Sequence, residues 1–265
     1  MKVPLTIVVP ARDEAERIAE FIQANDWAEE IIVADNGSTD DTAERARAAG
    51  AKVIDARGLT IAGARNAGAD AARHEWILAL DSDERVSTLL RDELPRLLTA
   101  VTASAYEVRR RNLYLGREQR RGSWGRDWIV RLYRREHRFI DTPVHEKLEP
   151  VADAGTLAGE IDHDPYRDLT HHMAKMDRYA RWGAEQLWSE GRRATVFDLA
   201  FRPLWRFIKA YFLGLSILDG KFGLVTSMLG AQTAFMKYAH LWAMAVEAVK
   251  AVDVRDPPQP SQPPK

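Results

Sequence analysis

The chain has 265 residues and a mass of 30.0 kDa, enough to bury a core as one domain with an appendage or as two small domains. Its 38 Lys and Arg residues against 39 Asp and Glu residues leave a net charge of -1, which indicates no nucleic-acid partner. The lack of cysteine excludes disulfides, thiol catalysis, iron–sulfur clusters and Cys-ligated zinc, so any metal must have oxygen and nitrogen ligands. The N-terminal apolar run is short for a secretory signal, and we expect a cytoplasmic protein.

Short apolar runs alternate with helical patterns over residues 1–100, which is typical of βαβ units around a parallel sheet. Four strands are predicted, at Leu5–Val9, Glu30–Ala34, Ala51–Ile54 and Trp76–Leu80. Three helices are predicted, over 13–24, 39–49 and 60–72. The first two would open with capping boxes formed by Asp13 with Glu16 and by Ser38 with Asp41. The predicted fold class is therefore α/β.

The composition changes after this region. An Arg- and aromatic-rich segment follows, with β-like stretches at Tyr106–Arg111 and Trp128–Arg134, and a helical region then runs over 168–250. We expect a catalytic domain at 1–165, with a nucleotide-binding half at 1–100 and an acceptor half at 101–165. A helical region at 166–252 and a disordered Pro-rich tail at 253–265 complete the predicted organisation.

The helical region carries apolar stretches that are short for a membrane span. Its charge-free runs, 210–218 and 222–236, have 9 and 15 residues, against the roughly 20 that a spanning helix needs. Aromatic residues adjoin basic ones, as in Trp205-Arg206 and Lys237-Tyr238, which is typical of helices lying in a bilayer interface. We therefore expect peripheral association with the inner face of the plasma membrane. The alternative is a helical subdomain whose apolar faces pack on the core.

Polar residues follow three of the predicted strands, at the sheet edge where ligands bind. They form the clusters Pro10-Ala11-Arg12-Asp13-Glu14, Asp35 to Asp40, and Asp81-Ser82-Asp83. Helix capping would account for Asp13 and Asp40 but not for the Asp-x-Asp of the third cluster. Two carboxylates this close favour a divalent cation between them, and oxygen ligands favour Mg²⁺ or Mn²⁺ shared with substrate phosphates.

The motifs TIVVPARDEAERI, EEIIVADNGSTDDT, GARNAGADAA and WILALDSDERV, in this order, resemble the nucleotide-sugar-binding half of a family 2 glycosyltransferase with the Rossmann-like GT-A fold. The resemblance covers roughly residues 3–150. GSWGRDWIVRLYRR, TPVHEKL, RPLWRFIKAYFLGLSILDGKFGL and FMKYAHLW are similar to lipopolysaccharide core glycosyltransferases of the WaaE/KdtX type. The resemblance implies metal-dependent, inverting transfer of a hexose from a nucleotide sugar, most simply a UDP-sugar. It implies a lipid-linked or lipopolysaccharide-core acceptor.

The resemblance also implies roles for particular residues. Asp35 would accept the N3–H of uracil, Asp83 would bind the metal, and Asp81 would contact the ribose, the metal or its water shell. His163 would approach the diphosphate or complete the metal shell, the alternative being a structural histidine. Arg65 would lie near the base or diphosphate, the alternative being a surface charge of a helix. The implied nucleotide-sugar pocket comprises Pro10, Ala11, Arg12, Glu14, Asp35, Arg65, Asn66, Asp81 and Ser82.

An inverting transfer needs a carboxylate that removes the proton of the acceptor hydroxyl. Glu146 is the first candidate for this base, although Lys147 stands where similar enzymes carry the second residue of a Glu-Asp pair. Asp127 is the second candidate, as base or as a group that orients the acceptor. The alternative for Glu146 is an ion pair with Lys147 or with a nearby arginine.

Several arginines cluster between the predicted strands and favour an anionic acceptor, either phosphorylated lipopolysaccharide core or lipid headgroups. They are Arg109, Arg110, Arg111, Arg117, Arg120, Arg121 and Arg126. Other functions stay open on the residues alone. A non-catalytic nucleotide-sugar or membrane-binding module fits the same motifs. A sugar nucleotidyltransferase would need a Gly-rich loop after the first strand, and this chain has none there. A dinucleotide-dependent oxidoreductase would need the order G-x-G-x-x-G, which GARNAGA does not have.

Overall fold

The computed structural model describes residues 2–100, 102–122, 127–140 and 147–255. These residues form two compact units. The first contains the described residues of 1–120 and 126–165, and the second contains those of 121–125 and from 166 onward.

The first unit begins with four parallel strands in the order β3-β2-β1-β4. They are β1 (Val3–Ala11), β2 (Ala28–Asp35), β3 (Lys52–Asp55) and β4 (Trp76–Ala79), connected by helices α1 (Ile18–Ala24), α2 (Thr42–Ala48) and α3 (Ile61–Ala71). The predicted strands and helices of this region are confirmed. Ile7 and Val8 of the central strand β1 point to opposite faces of the sheet and are both fully buried, as expected for a parallel strand covered on both faces.

The predicted capping boxes are wrong. Helix α1 begins at Ile18 and α2 at Thr42, both later than predicted. Asp13 has a φ of 55°, and its carboxylate accepts a hydrogen bond from the Thr39 amide at 2.7 Å. The Ser38 hydroxyl in turn accepts from the Asp13 amide at 3.0 Å. These side chains therefore join the loops that follow β1 and β2 and do not cap a helix.

The sheet continues beyond β4 through strands of mixed direction. These elements are β5 (Glu84–Val86), α4 (Thr88–Thr99), β6 (Ala105–Tyr114), β7 (Arg117–Glu118), β8 (Trp128–Arg134) and β11 (Gly155–His163). Strand β8 pairs antiparallel with β4 and β6, β11 pairs parallel with β6, and β5 pairs antiparallel with β11. A separate antiparallel pair joins β9 (Phe139–Ile140) to β10 (Lys147–Leu148). Both β-like stretches predicted after residue 105 are confirmed.

Two glycines allow helices to pack directly on the sheet. A Cβ at Gly68 of α3 would lie 2.3 Å from Cγ1 of Val8 in β1. A Cβ at Gly159 of β11 would lie 2.3 Å from Cα of Leu90 in α4. These contacts leave no room for a side chain, so both positions require glycine. The first of them brings α3 close to the end of β1.

The second unit is helical. It contains α5 (Leu169–Ser189), α6 (Val196–Ile208), a π-helical turn (Lys209–Leu213), a 3₁₀ turn (Ser216–Asp219) and α7 (Lys221–Arg255), which confirms the predicted helical region. Its core contains Ala184, Tyr238 and Leu241. Within the part of the chain that the structure describes, none of the helices combines the length and the apolar character that crossing a bilayer requires.

Candidate active site

The three polar clusters predicted from the sequence lie at one edge of the sheet. Pro10 and Ala11 of β1 pair in register with Ala34 and Asp35 of β2. On the other side of β1, the Leu80 amide donates to the Val8 carbonyl at 3.0 Å, directly before the Asp-x-Asp turn. The carboxyl ends of β2 and β4 therefore flank that of β1, where ligands bind in open parallel sheets.

Hydrogen bonds hold the first two clusters in place. The Ser38 amide donates to Oδ1 of Asp35 at 3.1 Å, and the Glu14 amide donates to the Thr42 hydroxyl at 2.8 Å. Burial alone would raise the pKa of Asp40, but hydrogen bonds from Thr42 and the Ala15 amide lower it, so this carboxylate is ionised. Arg12 is largely exposed beside these loops. The loops thus form a fixed frame from which Arg12 projects.

Helix α3 directs two of the predicted residues inward. Arg65 is only 2% exposed and donates to Oδ1 of Asp81 at 2.6 Å. Its guanidinium carbon lies 4.9 Å from the centre of the Phe139 ring. The Asn66 side chain donates to the Phe139 carbonyl at 3.0 Å and accepts from its amide at 2.9 Å. The alternative of a surface charge is therefore wrong for Arg65, and Asn66 anchors β9.

A second buried arginine contacts Asp81, and the sequence analysis missed it. Nη2 of Arg131, in β8, donates to Oδ2 of Asp81 at 2.8 Å and to Oε1 of the fully buried Glu84 at 2.7 Å. Burial would raise the pKa of Asp81, but Arg131 and Arg65 hold it far below the ordinary value. The sequence does contain an indication that Arg131 is buried, because this arginine interrupts the apolar strand Ile-Val-Arg-Leu-Tyr. Both oxygens of Asp81 are thus engaged by arginines.

The pairing of β5 with β11 brings His163 to the Asp-x-Asp turn. His163 stands opposite Glu84 in the register, and the Asp164 amide donates to the Asp83 carbonyl at 3.0 Å. Nε2 of His163 consequently lies 3.7 Å from Oδ1 of Asp83, and both side chains are largely buried, with exposures of 16% and 14%. Burial lowers the pKa of His163 despite the nearby Asp83, so its imidazole is neutral at pH 7.

Asn112 fixes the tautomer of His163. Its Nδ2 donates to Oδ2 of Asp127 at 3.2 Å, and its Oδ1 lies 2.7 Å from Nδ1 of His163. A carboxylate only accepts, so the amide must direct its NH₂ group to Asp127 and its oxygen to His163. Nδ1 of His163 therefore carries the hydrogen and Nε2 presents its lone pair, which is the form that binds metals. Nε of Arg110 also holds Asp127, at 2.7 Å.

These residues fit a divalent cation that takes most of its ligands from a substrate. Asp83 and His163 supply one oxygen and one nitrogen donor side by side. Within the described ranges, no three Asp, Glu or His side chains are grouped to hold a metal. Mg²⁺ and Mn²⁺ sites often combine one or two protein ligands with phosphate oxygens and water. A cavity of about 130 Å³ lies beside Asp83, bordered by Ser82 and Arg17.

The arginine cluster is largely neutralised by carboxylates. Arg109 pairs with Glu160 and Glu118, and Arg111 pairs with Asp162. Further pairs join Arg110 to Asp127, Arg120 to Glu118 and Arg121 to Asp219. These five arginines therefore do not form the open anion-binding surface that the sequence analysis predicted. Two of these pairs cross from β6 to β11, where Arg109 meets Glu160 and Arg111 meets Asp162.

Glu146, the first candidate for the base, lies outside the described residues, as does Arg126. The second candidate, Asp127, is described and lies in the network of Arg110, Asn112 and His163. The arginine and the amide both contact its Oδ2. Its Oδ1 has no hydrogen-bond partner among the described residues.

Comparisons with known proteins place the chain in a family. The family model of glycosyl transferase family 2 matches residues 6–147, more than half of the chain. An uncharacterized glycosyltransferase of Rickettsia typhi is 27% identical over 262 residues, which covers 94% of this chain and 89% of the relative. The lipopolysaccharide core biosynthesis glycosyltransferase LpsC of Rhizobium meliloti is 27% identical over 264 residues, covering 91% of this chain and 93% of the relative.

Among solved structures, glucosyl-3-phosphoglycerate synthase from Mycobacterium tuberculosis, in complex with Mn²⁺, UDP and phosphoglyceric acid, is 26% identical. The match covers 42% of this chain and 43% of that one, with a TM-score of 0.35. The match to the family model runs from β1 to the start of β10 and includes the Asp-x-Asp turn. The chain therefore belongs to glycosyltransferase family 2 and has its α/β GT-A fold.

Proposed function

We propose that the protein transfers a hexose from a UDP-sugar, with Mg²⁺ or Mn²⁺, to an anionic glycolipid or lipopolysaccharide-core acceptor, with inversion at the anomeric carbon. The observation that carries this proposal is the Asp83–His163 pair beside the carboxyl ends of β1, β2 and β4. The pair offers two metal donors next to loops that hydrogen bonds hold in place.

The donor occupies the edge of the sheet in this proposal. Asp35 accepts the N3–H of uracil, and the fixed loop after β1 provides Arg12 and Glu14. Asp81 contacts the ribose or the water shell of the metal. Arg65 and Arg131 clamp its carboxylate and so define where the Asp-x-Asp turn places Ser82 and Asp83. The remaining pocket residues are Pro10, Ala11 and Asn66.

Asp83 and His163 would hold the metal. A bound cation would stabilise the negative charge that develops on the departing diphosphate. The protein holds the Asp83 carboxylate and Nε2 of His163 next to each other. His163 is neutral, and its hydrogen bond with Asn112 aims the lone pair of Nε2 at the space beside Asp83.

The acceptor hydroxyl needs a base. Its oxygen attacks the anomeric carbon while a carboxylate takes its proton, and the bond from that carbon to the diphosphate breaks so that UDP leaves with the electron pair. Glu146 is the proposed base. Asp127 remains the alternative, because Arg110 and Asn112 hold one of its oxygens and leave Oδ1 for a hydroxyl.

The acceptor and the location rest on two further observations. The similarity to LpsC, which is named for lipopolysaccharide core biosynthesis, covers 91% of this chain. Phe197, Phe201 and Trp205 on α6 are each more than half exposed, which suits a helix at a bilayer surface. The first supports a glycolipid acceptor and the second supports peripheral membrane association, and we propose the cytoplasmic face of the inner membrane as the location.

The test is product formation with purified lipopolysaccharide core or lipid-linked sugar as acceptor. The full chain, UDP-glucose or another UDP-hexose and Mn²⁺ should yield UDP and an acceptor that is one hexose heavier. Asp83→Asn should abolish both products, whereas Asp92→Asn, an exposed carboxylate on α4, should leave them unchanged. Binding of the UDP-sugar with Mn²⁺ but without release of UDP, for every acceptor, would instead identify a non-catalytic nucleotide-sugar module.

A further inference from the structure

Helix α6 exposes a large apolar face. Phe197, Phe201, Leu204 and Trp205 are 59%, 56%, 52% and 58% exposed. Their spacing places them on one face of the helix. Leu199 instead packs with the core of Ala184, Tyr238 and Leu241. The exposed face is therefore not the one that stabilises the helical unit.

This face forms one wall of a groove of about 610 Å³ between α6 and α7. We call it the α6–α7 groove. Its lining combines apolar residues with four cations, Arg202, Arg206, Lys209 and Lys237. Apolar residues at the groove include Phe197, Phe201, Leu204, Trp205, Ile208 and Ala234. The groove thus offers an apolar surface next to positive charge.

Three of these cations are not neutralised within the described residues. Arg202 pairs with Asp198, but Arg206, Lys209 and Lys237 make no ion pair with a carboxylate in the part of the chain that the structure describes. Burial lowers the pKa of Lys237, and the nearby Arg202 and Arg206 lower it further. Cations held this close repel one another, so an anion that binds among them would relieve the repulsion.

A glycine makes space for one of the cations. A Cβ at Gly183 of α5 would lie 2.8 Å from Cδ of Lys237. The Lys237 ammonium also lies 4.9 Å from the centre of the Tyr238 ring. The lysine stem is therefore seated between α5 and α7, with its charge directed by an aromatic ring.

We propose that the α6–α7 groove binds one anionic lipid, with its acyl chains along Phe197, Phe201 and Trp205 and its phosphate between Arg206 and Lys237. Apolar surface and cations in one groove match the two parts of such a molecule. Aromatic residues beside Lys and Arg are typical of the lipid headgroup boundary. The inference rests on the proposed membrane association, and it assigns that association to a defined site.

Vesicle flotation of the full-length protein tests the charge requirement. The protein should float with vesicles of phosphatidylcholine and phosphatidylglycerol but not with phosphatidylcholine alone. Arg206→Gln and Lys237→Gln should each weaken binding about fivefold, as expected for loss of one basic contact with an anionic surface. Arg181→Gln, which removes an exposed arginine of α5 outside the groove, should bind as the wild type does. Equal weakening by all three substitutions would overturn the proposal.

Quenching by lipids with brominated acyl chains tests the position of the chains. Bromine quenches tryptophans that it contacts, so Trp205→Phe should remove most of the quenching. Trp182→Phe should remove little of it, because Trp182 is equally exposed on α5 but lies outside the groove. Equal quenching of both variants would show that the groove holds no acyl chain.

Two controls distinguish lipid binding from a loss of stability and from self-association. Arg206→Gln removes the charge of an exposed side chain from a crowded cationic cluster, so its melting temperature should equal or exceed that of the wild type while lipid binding falls. A self-association that Trp205→Phe disrupts, in sedimentation without lipid, would assign the groove to a second copy of the chain and overturn the proposal. These assays contain no nucleotide sugar or metal, so a negative result would not contradict the proposed transfer reaction. In the same way, a failure to detect transfer would not contradict lipid binding.

Discussion

Nε2 of His163 lies 3.7 Å from Oδ1 of Asp83, although one residue ends β11 and the other belongs to the turn after β4. The antiparallel pairing of β5 with β11 brings the two side chains together. Asn112 then fixes the hydrogen of His163 on Nδ1. The fold thus places an oxygen and a nitrogen donor side by side, with the nitrogen in its metal-binding form.

Substitution of Asp83 tests this pair. Asp83→Asn keeps the size of the side chain but removes the charge that would bind a cation, so we expect loss of transfer and loss of Mn²⁺-dependent nucleotide binding. Isothermal titration with UDP in the presence of Mn²⁺ measures the binding. Asp92→Asn is the matched control on the surface of α4. Unchanged Mn²⁺-dependent binding by Asp83→Asn would exclude Asp83 as a ligand.

Asn112 is expected to act through His163. Asn112→Ala frees the imidazole to rotate and to change tautomer, so affinity for Mn²⁺ should fall about 10- to 100-fold, as for other residues that orient metal ligands. Titration of Mn²⁺ by electron paramagnetic resonance, with UDP present, measures this affinity. The exposed Gln186→Ala on α5 should leave it unchanged. An effect confined to the melting temperature would show that Asn112 has only a structural role.

Arg131 is expected to dominate the stability of the first unit. Arg131→Met leaves the fully buried carboxylate of Glu84 and the partly exposed carboxylate of Asp81 without one of their cations, which should reduce the free energy of unfolding by about 3–5 kcal/mol. The exposed Arg45→Gln, which removes an ion pair with Asp41, should cost less than about 1 kcal/mol. Urea denaturation followed by circular dichroism compares the two. A similar cost for both would mean that the buried network is not stabilising.

The local patterns of the sequence predict the parallel half of the sheet well. Apolar runs locate β1 to β4, and their connection by helices implies that Asp35 and Asp81 flank β1. The four ordered motifs also predict the family, which is confirmed. These features depend on residues close in the chain, so periodicity and motif spacing are sufficient to find them.

Features that depend on distant pairing were missed. No local pattern indicates that Arg131 meets Glu84, or that Asn112 joins Asp127 to His163, because these contacts follow from the order β4-β8-β6-β11-β5. The loops after β1 and β2 show the same limit. Asp13 and Ser38 have the spacing of helix caps, but their side chains accept hydrogen bonds from the amides of the neighbouring loop instead. The Asp13 carboxylate accepts from the Thr39 amide, and the Ser38 hydroxyl accepts from the Asp13 amide.

Asp198 should make the helical unit sensitive to acid. Burial would raise its pKa, but hydrogen bonds from Thr195 and Arg202 lower it below the ordinary value of 3.8. A lowered pKa stabilises the fold above that value, and the stabilisation is lost as the pH falls through the pKa of the folded state. Asp198→Asn should therefore lower the melting temperature at neutral pH, with a difference that shrinks below pH 3.8.

Circular dichroism melting curves over this pH range check the prediction. Loss of such a capping interaction costs about 1 kcal/mol. Glu185→Gln, an exposed carboxylate on α5, is the control and should show no such pH-dependent difference. A difference between Asp198→Asn and the wild type that persists unchanged in acid would contradict the assigned role of the charge.

The two candidate bases predict different results. If Glu146 is the base, Glu146→Gln abolishes transfer and leaves binding of the UDP-sugar intact, while Asp127→Asn retains part of the activity. Initial rates of UDP release, together with titration of the donor, distinguish the cases. Wild-type turnover by Glu146→Gln would assign the base to Asp127, which Arg110 and Asn112 hold in place.

The central claim is that the Asp83–His163 pair binds a nucleotide sugar through a divalent metal. A panel of UDP-, GDP- and ADP-sugars, each with Mn²⁺, Mg²⁺ or EDTA, tests it by thermal shift and by release of the free nucleotide. We expect a UDP-sugar to raise the melting temperature only with metal, and to be hydrolysed slowly under the same conditions. Stabilisation that is equal in EDTA, or the absence of stabilisation by every nucleotide sugar, would contradict the account.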